Sequence, residues 1–121
     1  MRSFLVDDNE DFLASARRLL TAQGVEVIGE ASTGSAALAR APRLAPDVVL
    51  IDVQLGNEDG LLVARRLHAI LPDVPLILIS THAEDDVKDG IRESGAIGFL
   101  PKASLNASAI TKLLASATRG T

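Results

Sequence analysis

The 121-residue chain contains no cysteine, tryptophan or tyrosine, and its aromatic residues amount to three phenylalanines. Disulfides and thiolate-held zinc or iron-sulfur centres are thereby excluded, which suits a reducing compartment. No apolar run approaches the roughly 20 residues that a membrane-spanning helix needs. The N-terminus offers only Phe4-Leu5-Val6 before an acidic stretch, too little for a signal peptide. Both points lead us to expect a soluble, cytoplasmic protein with no membrane partner. Excess positive charge is missing too. Twelve Lys and Arg stand against 16 Asp and Glu, a formal net charge of −4. That balance argues against direct nucleic-acid binding by this chain, because phosphates are neutralised by clustered cations. The pairs Arg17-Arg18 and Arg65-Arg66 fall in helical patterns and read as solvated faces.

What is present is an alternation of short apolar runs and helical patterns over a length typical of one domain. Five strands are expected near residues 3 to 7, 25 to 30, 47 to 52, 75 to 80 and 97 to 100. Five helices lie between and after them. Phe12, Leu13, Ala16, Leu19 and Leu20 recur at helical spacing before Gly24, a left-handed stop. A second helix starts near Ser35, with Pro42 and Pro46 interrupting its end. Leu61, Leu62, Ala64, Leu67, Ile70 and Leu71 mark a third between Gly60 and Pro72. The fourth is expected over 84 to 94, closed by Gly95, and the last over 104 to 117, before a frayed tail. Runs buried on both faces belong to parallel sheets, so the expected fold is α/β, a single doubly wound five-stranded parallel sheet.

Two of those runs end in acids. Phe4-Leu5-Val6 leads into Asp7-Asp8, and Val48-Val49-Leu50-Ile51 leads into Asp52. In open α/β sheets ligands bind beyond the carboxyl ends of the strands, so the three carboxylates are expected in one crevice. Two such charges about 4 Å apart repel by roughly 4 kcal/mol at an effective dielectric of about 20, and an oxygen-seeking cation such as Mg²⁺ relieves this. Two further runs end in Ser80-Thr81 and in Lys102. A hydroxyl and an ammonium beside three acids suit phosphoryl transfer to a carboxylate. Asp52 would be the nucleophile, Mg²⁺ would offset negative charge, and Lys102 and Ser80 would bind phosphoryl oxygens.

Five elements in order carry a family resemblance: Val6-Asp7-Asp8, Leu50-Ile51-Asp52, Asp59-Gly60, Ser80, and Gly98-Phe99-Leu100-Pro101-Lys102. With these spacings the whole chain, 1–121, resembles the receiver domain of two-component response regulators, with no output domain in this chain. The resemblance implies a flavodoxin-like strand order 2-1-3-4-5. It implies that Asp52 is the phospho-acceptor served by a sensor histidine kinase, with only slow self-dephosphorylation besides. Asp8 would bind Mg²⁺ directly and Asp7 largely through water, with Asp52 and the backbone carbonyl of Gln54 as further ligands. Ser80 and Lys102 would contact the phosphoryl group. Ser80 and Phe99 would be the switch pair that alters the surface of helix four, strand five and helix five, and a homodimer on phosphorylation is a further implication. Gly56 and Ala103 stand where many receivers have proline. Ser80-Thr81-His82 most resembles receivers that precede helix-turn-helix DNA-binding domains, so the chain is either a stand-alone receiver or one part of such a regulator.

Blander readings compete at several positions. Asp7-Asp8 could cap the first helix, Asp8 doing so while it binds metal. Phe99 could be plain core, His68 a solvated helix residue, and Glu84-Asp85-Asp86 the acidic first turn of a helix. His82 would lie near the pocket mouth. Among other functions, an aspartyl-nucleophile phosphatase would need an acid where Gln54 stands. A flavin binder would need a first loop kinder to phosphate than Asp8-Asn9-Glu10-Asp11. A phosphorylation-independent pseudo-receiver adaptor would have no use for the intact acidic set.

Overall fold

The structure, a computed structural model, describes residues 1–81 and 88–119. In chain order the elements are β1 (Arg2–Val6), α1 (Glu10–Ala22), β2 (Glu26–Ala31), α2 (Gly34–Leu44) and β3 (Val48–Asp52). A short ribbon of β4 (Gln54–Leu55) and β5 (Glu58–Asp59) precedes α3 (Gly60–Ile70) and β6 (Leu76–Ser80). Then come α4 (Lys88–Ser94), β7 (Gly98–Pro101), a 3-10 turn (Lys102–Ser104) and α5 (Ala107–Arg119). The five long strands form one parallel sheet in the order β2-β1-β3-β6-β7. Counting those strands alone, this is the order 2-1-3-4-5 that the resemblance implied.

Alternation along the strands divides the core into two layers. Phe4, Val6, Val49, Ile51, Leu76, Leu78 and Phe99 face one way and pack with residues of α2 and α3. Leu5, Val48, Leu50, Ile77, Ile79 and Leu100 face the other and pack with α1 and α5. Every residue of β3 and β6 is buried, as strands covered on both faces must be. Full burial of one such aliphatic side chain stabilises the fold by about 1.5–3 kcal/mol.

Helical spacing identified the elements better than their inner faces. Leu19, Leu62 and Ile70 are 41%, 45% and 50% exposed, while Val63 is buried. Each of the three sits at the margin of its apolar stripe, where solvent reaches. His68 departs from expectation in the opposite sense. It is half-buried, and its ring lies where a Cβ on Gly95 would be, 2.6 Å away. Gly95 therefore needs to be glycine both for its φ of +83° and for this approach, whereas at Gly24 (φ +86°) only backbone conformation demands it.

Three boundaries moved. Pro42 lies inside α2, and the helix ends two residues later at Leu44, with Ala45 as its C-cap. The last helix starts at Ala107 rather than 104, because Lys102–Ser104 turn as a 3-10 segment. The Asn106 side chain then accepts from the Ala109 N–H (2.8 Å), and Gln23 from the Ala107 N–H (2.7 Å). The helix continues to Arg119, beyond the expected start of the tail. The expected fourth helix is found from Lys88, and its first residues, with His82 and Glu84-Asp85-Asp86, lie outside the described residues. Ala45, exposed and at φ 50°, closes α2 in the left-handed region without being glycine. That conformation costs an L-residue roughly 1–2 kcal/mol, partly offset in a glycine by its greater unfolded freedom. Ala45→Gly is expected to raise stability by about 0.5–1 kcal/mol, a melting-temperature rise of a few degrees by calorimetry. An unchanged or lower melting temperature would contradict this account of the cap.

Candidate functional site

Parallel register brings the chemistry to one edge. Ile51 pairs with Val6 and Asp52 with Ile79, so the residues that follow, Asp7 on one side and Ser80 on the other, flank Asp52. Ser80 pairs with Pro101, which delivers Lys102 to the same edge. Asp7, Asp8 and Asp52 each offer a carboxylate oxygen within 4.8 Å of the others. Asp7 and Asp52 are buried, and Asp8 is exposed at the rim.

The Lys102 ammonium lies 2.7 Å from Asp7 Oδ2 and 3.0 Å from Asp52 Oδ2. The Phe12 ring covers it, with Nζ 4.4 Å from the ring centroid, a cation–π arrangement. The Gln54 N–H donates to Asp52 Oδ1 (3.1 Å), and the Asn9 N–H donates to Asp7 Oδ1 (2.9 Å). Asn9 also caps α1, its Oδ1 accepting from the Phe12 N–H at 3.0 Å. The capping role considered for Asp8 thus belongs to Asn9, whose amide side chain caps without adding charge.

Burial pushes the Asp7 carboxyl above the ordinary aspartate value, and the Asp52 charge adds to that, against the pull of Lys102 and the Asn9 amide. For Lys102 burial is the largest single influence and lowers the pKa. The hydrogen bonds and charges of Asp7 and Asp52 together outweigh it and hold the ammonium above its ordinary value. One cation against three carboxylates leaves an excess of two negative charges when all are ionised. Beyond its ion pair, the buried Asp7 Oδ2 has no hydrogen-bond partner among the described residues. An all-oxygen donor set with that excess fits a hard divalent cation.

Of the remaining predicted residues, Gln54 is at the start of β4 and borders the same pocket as Asp8, Asp52 and Lys102. Ser80 and Thr81 both border it too, Ser80 buried and Thr81 exposed. Phe99 is 7% exposed and belongs to the core layer that holds Leu78 and Ala64. Asn9, Phe12 and the β4–β5 ribbon are site features that the sequence reading missed. The ribbon has a signal, Gly56-Asn57 between two short segments, which is a two-residue hairpin turn with Gly56 at φ 58°. Gly60 closes the ribbon where a Cβ would collide with the carbonyl oxygen of Asp52. A larger cleft between α1 and α2 is lined by Leu13, Arg17, Glu30 and Arg40, but both arginines are already bonded to Glu30.

Residues 4–115, covering nearly every strand and helix just described, match the response regulator receiver domain family. The chain belongs to that family. This receiver domain is 34% identical over 121 residues to the transcriptional regulatory protein LiaR of Bacillus subtilis, covering 99% of the chain and 57% of LiaR. It is 36% identical over 99 residues to the response regulator UvrY of Escherichia coli, covering 81% of the chain and 45% of UvrY. The chain thus spans about half the length of the curated relatives it matches. Among solved structures, the signal receiver domain of the putative response regulator NarL from Mycobacterium tuberculosis superposes with a TM-score of 0.82 at 33% identity. That match covers 97% of this chain and 95% of the other. Receiver domains of response regulators are signalling domains rather than metabolic enzymes. Among the described residues no helix is long and apolar enough to cross a membrane.

Proposed function

We propose that this receiver accepts a phosphoryl group on Asp52 from a sensor histidine kinase in a Mg²⁺-dependent reaction. The observation that carries the proposal is the convergence of the Asp7, Asp8 and Asp52 carboxylates beside the Lys102 ammonium. In the transfer, an Asp52 carboxylate oxygen forms the new bond to phosphorus as the bond from phosphorus to the kinase histidine nitrogen breaks. The nitrogen keeps that electron pair. The Gln54 N–H holds Asp52 Oδ1 and Lys102 holds Oδ2, so the carboxylate is oriented before the phosphoryl group arrives. Lys102 and the Ser80 hydroxyl would then bind phosphoryl oxygens. Asp7, Asp8, Asp52 and the Gln54 backbone carbonyl would hold Mg²⁺, which supplies charge neutralisation between the anionic acceptor and the anionic donor. Residues 1–121 act here as one receiver domain in the cytoplasm, without contacting nucleic acid themselves. Transcription regulation is the output we infer, from the likeness to LiaR. Gln54 is a neutral amide that cannot act as general acid or base, which speaks against phosphatase turnover.

Incubation with acetyl phosphate and Mg²⁺ tests the reading, the expected product being one added phosphoryl group, stable in acid and labile in base. Absence of any adduct would overturn it.

The output surface on this reading is α4, β7 and α5. A phosphoryl group would draw Ser80 toward it, and the neighbouring packing around Phe99 would change. A partner, or a second copy forming a homodimer, would stabilise the new shape through about 1–3 kcal/mol of coupling. Ser80→Ala is expected to remain phosphorylated at Asp52 yet lose most of the amide shifts that beryllofluoride, a phosphoryl mimic, induces around Phe99. Equal shifts in both proteins would remove Ser80 from the pathway.

A further inference from the structure

Glu58, on the solvent side of the β4–β5 ribbon, reaches the first turn of α2. The Gly34 N–H donates to both of its carboxylate oxygens, at 3.0 Å to Oε2 and 3.2 Å to Oε1. Thr33 already caps this helix, its hydroxyl oxygen accepting from the Ala36 N–H. The Gly34 amide is one of the donors that the first turn leaves over, and a carboxylate is its best partner because the helix dipole adds to the bond. Gly34 has the space for this only because it is glycine. A Cβ there would stand 2.7 Å from Glu58 Oε1 and 2.7 Å from Val63 Cγ2.

The ribbon that Glu58 holds begins two residues after the acceptor. Its first residue, Gln54, donates its N–H to Asp52 Oδ1 and carries the carbonyl proposed as a metal ligand. Glu58 pairs directly with Leu55 across the ribbon, and Gln54 with Asp59. The base of the loop is fixed by the Gly60 N–H bonded to the Val53 carbonyl at 2.9 Å. Its outer end has Glu58 as a tether to a different element of the fold. We infer that Glu58 is a positioning residue: its bond to the Gly34 amide holds the β4–β5 ribbon so that the Gln54 backbone is placed for Mg²⁺ and for Asp52. This rests on the metal-dependent acceptor reading above. By reciprocity, Mg²⁺ binding would in turn steady the first turn of α2.

The test is an amide NMR titration with Mg²⁺ on the parent, Glu58→Ala, Glu58→Gln and Gly34→Ala proteins, with melting temperatures measured without metal. In the parent, the Gly34 and Gln54 signals should move together as Mg²⁺ is added. Glu58→Ala is expected to raise the Mg²⁺ Kd about tenfold, the lower end of the usual loss when a partner behind a metal ligand is removed. Glu58→Gln keeps an oxygen that accepts the Gly34 N–H but carries no charge, and should recover most of the affinity. Gly34→Ala, which displaces the carboxylate from the α2 side, should behave like Glu58→Ala. A lower melting temperature with an unchanged Kd in Glu58→Ala would mean that the tether serves stability alone and would overturn the inference. Equal losses in Glu58→Gln and Glu58→Ala would overturn it too, since the effect would then be through-space charge. A parent that shows no Mg²⁺ shifts at all would remove the metal reading itself, and this inference with it.

Discussion

Asp52→Asn protein is expected to gain no phosphoryl group from acetyl phosphate and Mg²⁺, under conditions where the parent gains one. The loss should be complete because it is chemical rather than structural. An asparagine side chain can still accept the Gln54 N–H through its oxygen, as Asp52 Oδ1 does at 3.1 Å, so the loop after β3 keeps its anchor. Lys102 keeps its 2.7 Å ion pair with Asp7. What disappears is the nucleophile, since a neutral amide has no charged oxygen to form the acyl phosphate. Mass spectrometry of intact parent and variant, followed by base treatment, reads the result directly. Labelling of Asp52→Asn at Asp7 or Asp8 would show that the cluster has another acceptor and would sink the assignment.

Much of this site was legible in the sequence because parallel strands translate sequence endings into spatial neighbours. Asp7, Asp52, Ser80 and Lys102 each sit at or just after the end of an apolar run, and a common strand direction is enough to collect them. Their ion pairing could be foreseen in kind, because an ammonium among carboxylates has few alternatives. What could not be read was anything set by two elements meeting sideways. Phe12 covers Lys102 because the start of α1 meets the residue that follows β7, and no spacing within α1 encodes that. Glu58 reads as an ordinary exposed acid until α2 is seen to bring Gly34 to it. His68 read as solvated for the same reason, since the backbone of Gly95 that covers it comes from another segment. The second helix illustrates a different limit. Pro42 predicts an ending, yet α2 runs two residues past it to Leu44 without the N–H bond that a proline cannot supply.

Asp7→Asn should make the metal-free protein more stable at neutral pH and abolish the stabilisation that Mg²⁺ confers. Burial is the dominant influence on Asp7 and raises its carboxyl pKa above the ordinary value of about 3.8. A group whose folded pKa lies above its unfolded one contributes stability that is full below the unfolded value and is lost as pH rises through the folded value. At neutral pH, without metal, ionised Asp7 is therefore a net cost. An amide of the same shape removes the charge while leaving an oxygen for the Asn9 N–H and leaving Lys102 paired to Asp52. We expect a gain of about 1–2 kcal/mol, or several degrees in melting temperature for a domain of this size. The difference between variant and parent should shrink as pH falls through the raised folded pKa toward 3.8. Added Mg²⁺ should reverse the order. A ligand that binds only the folded state contributes RT ln(1 + [L]/Kd), about 2.7 kcal/mol at a hundred times Kd, which exceeds that gain, and the variant has lost one of the carboxylates proposed to bind it. Melting curves of both proteins, in a chelator and then across a Mg²⁺ series at two pH values, contain the whole test. A variant no more stable than the parent in chelator would show that Lys102 already compensates Asp7. A variant that Mg²⁺ stabilises as much as it does the parent would show that Asp7 takes no part in holding the ion.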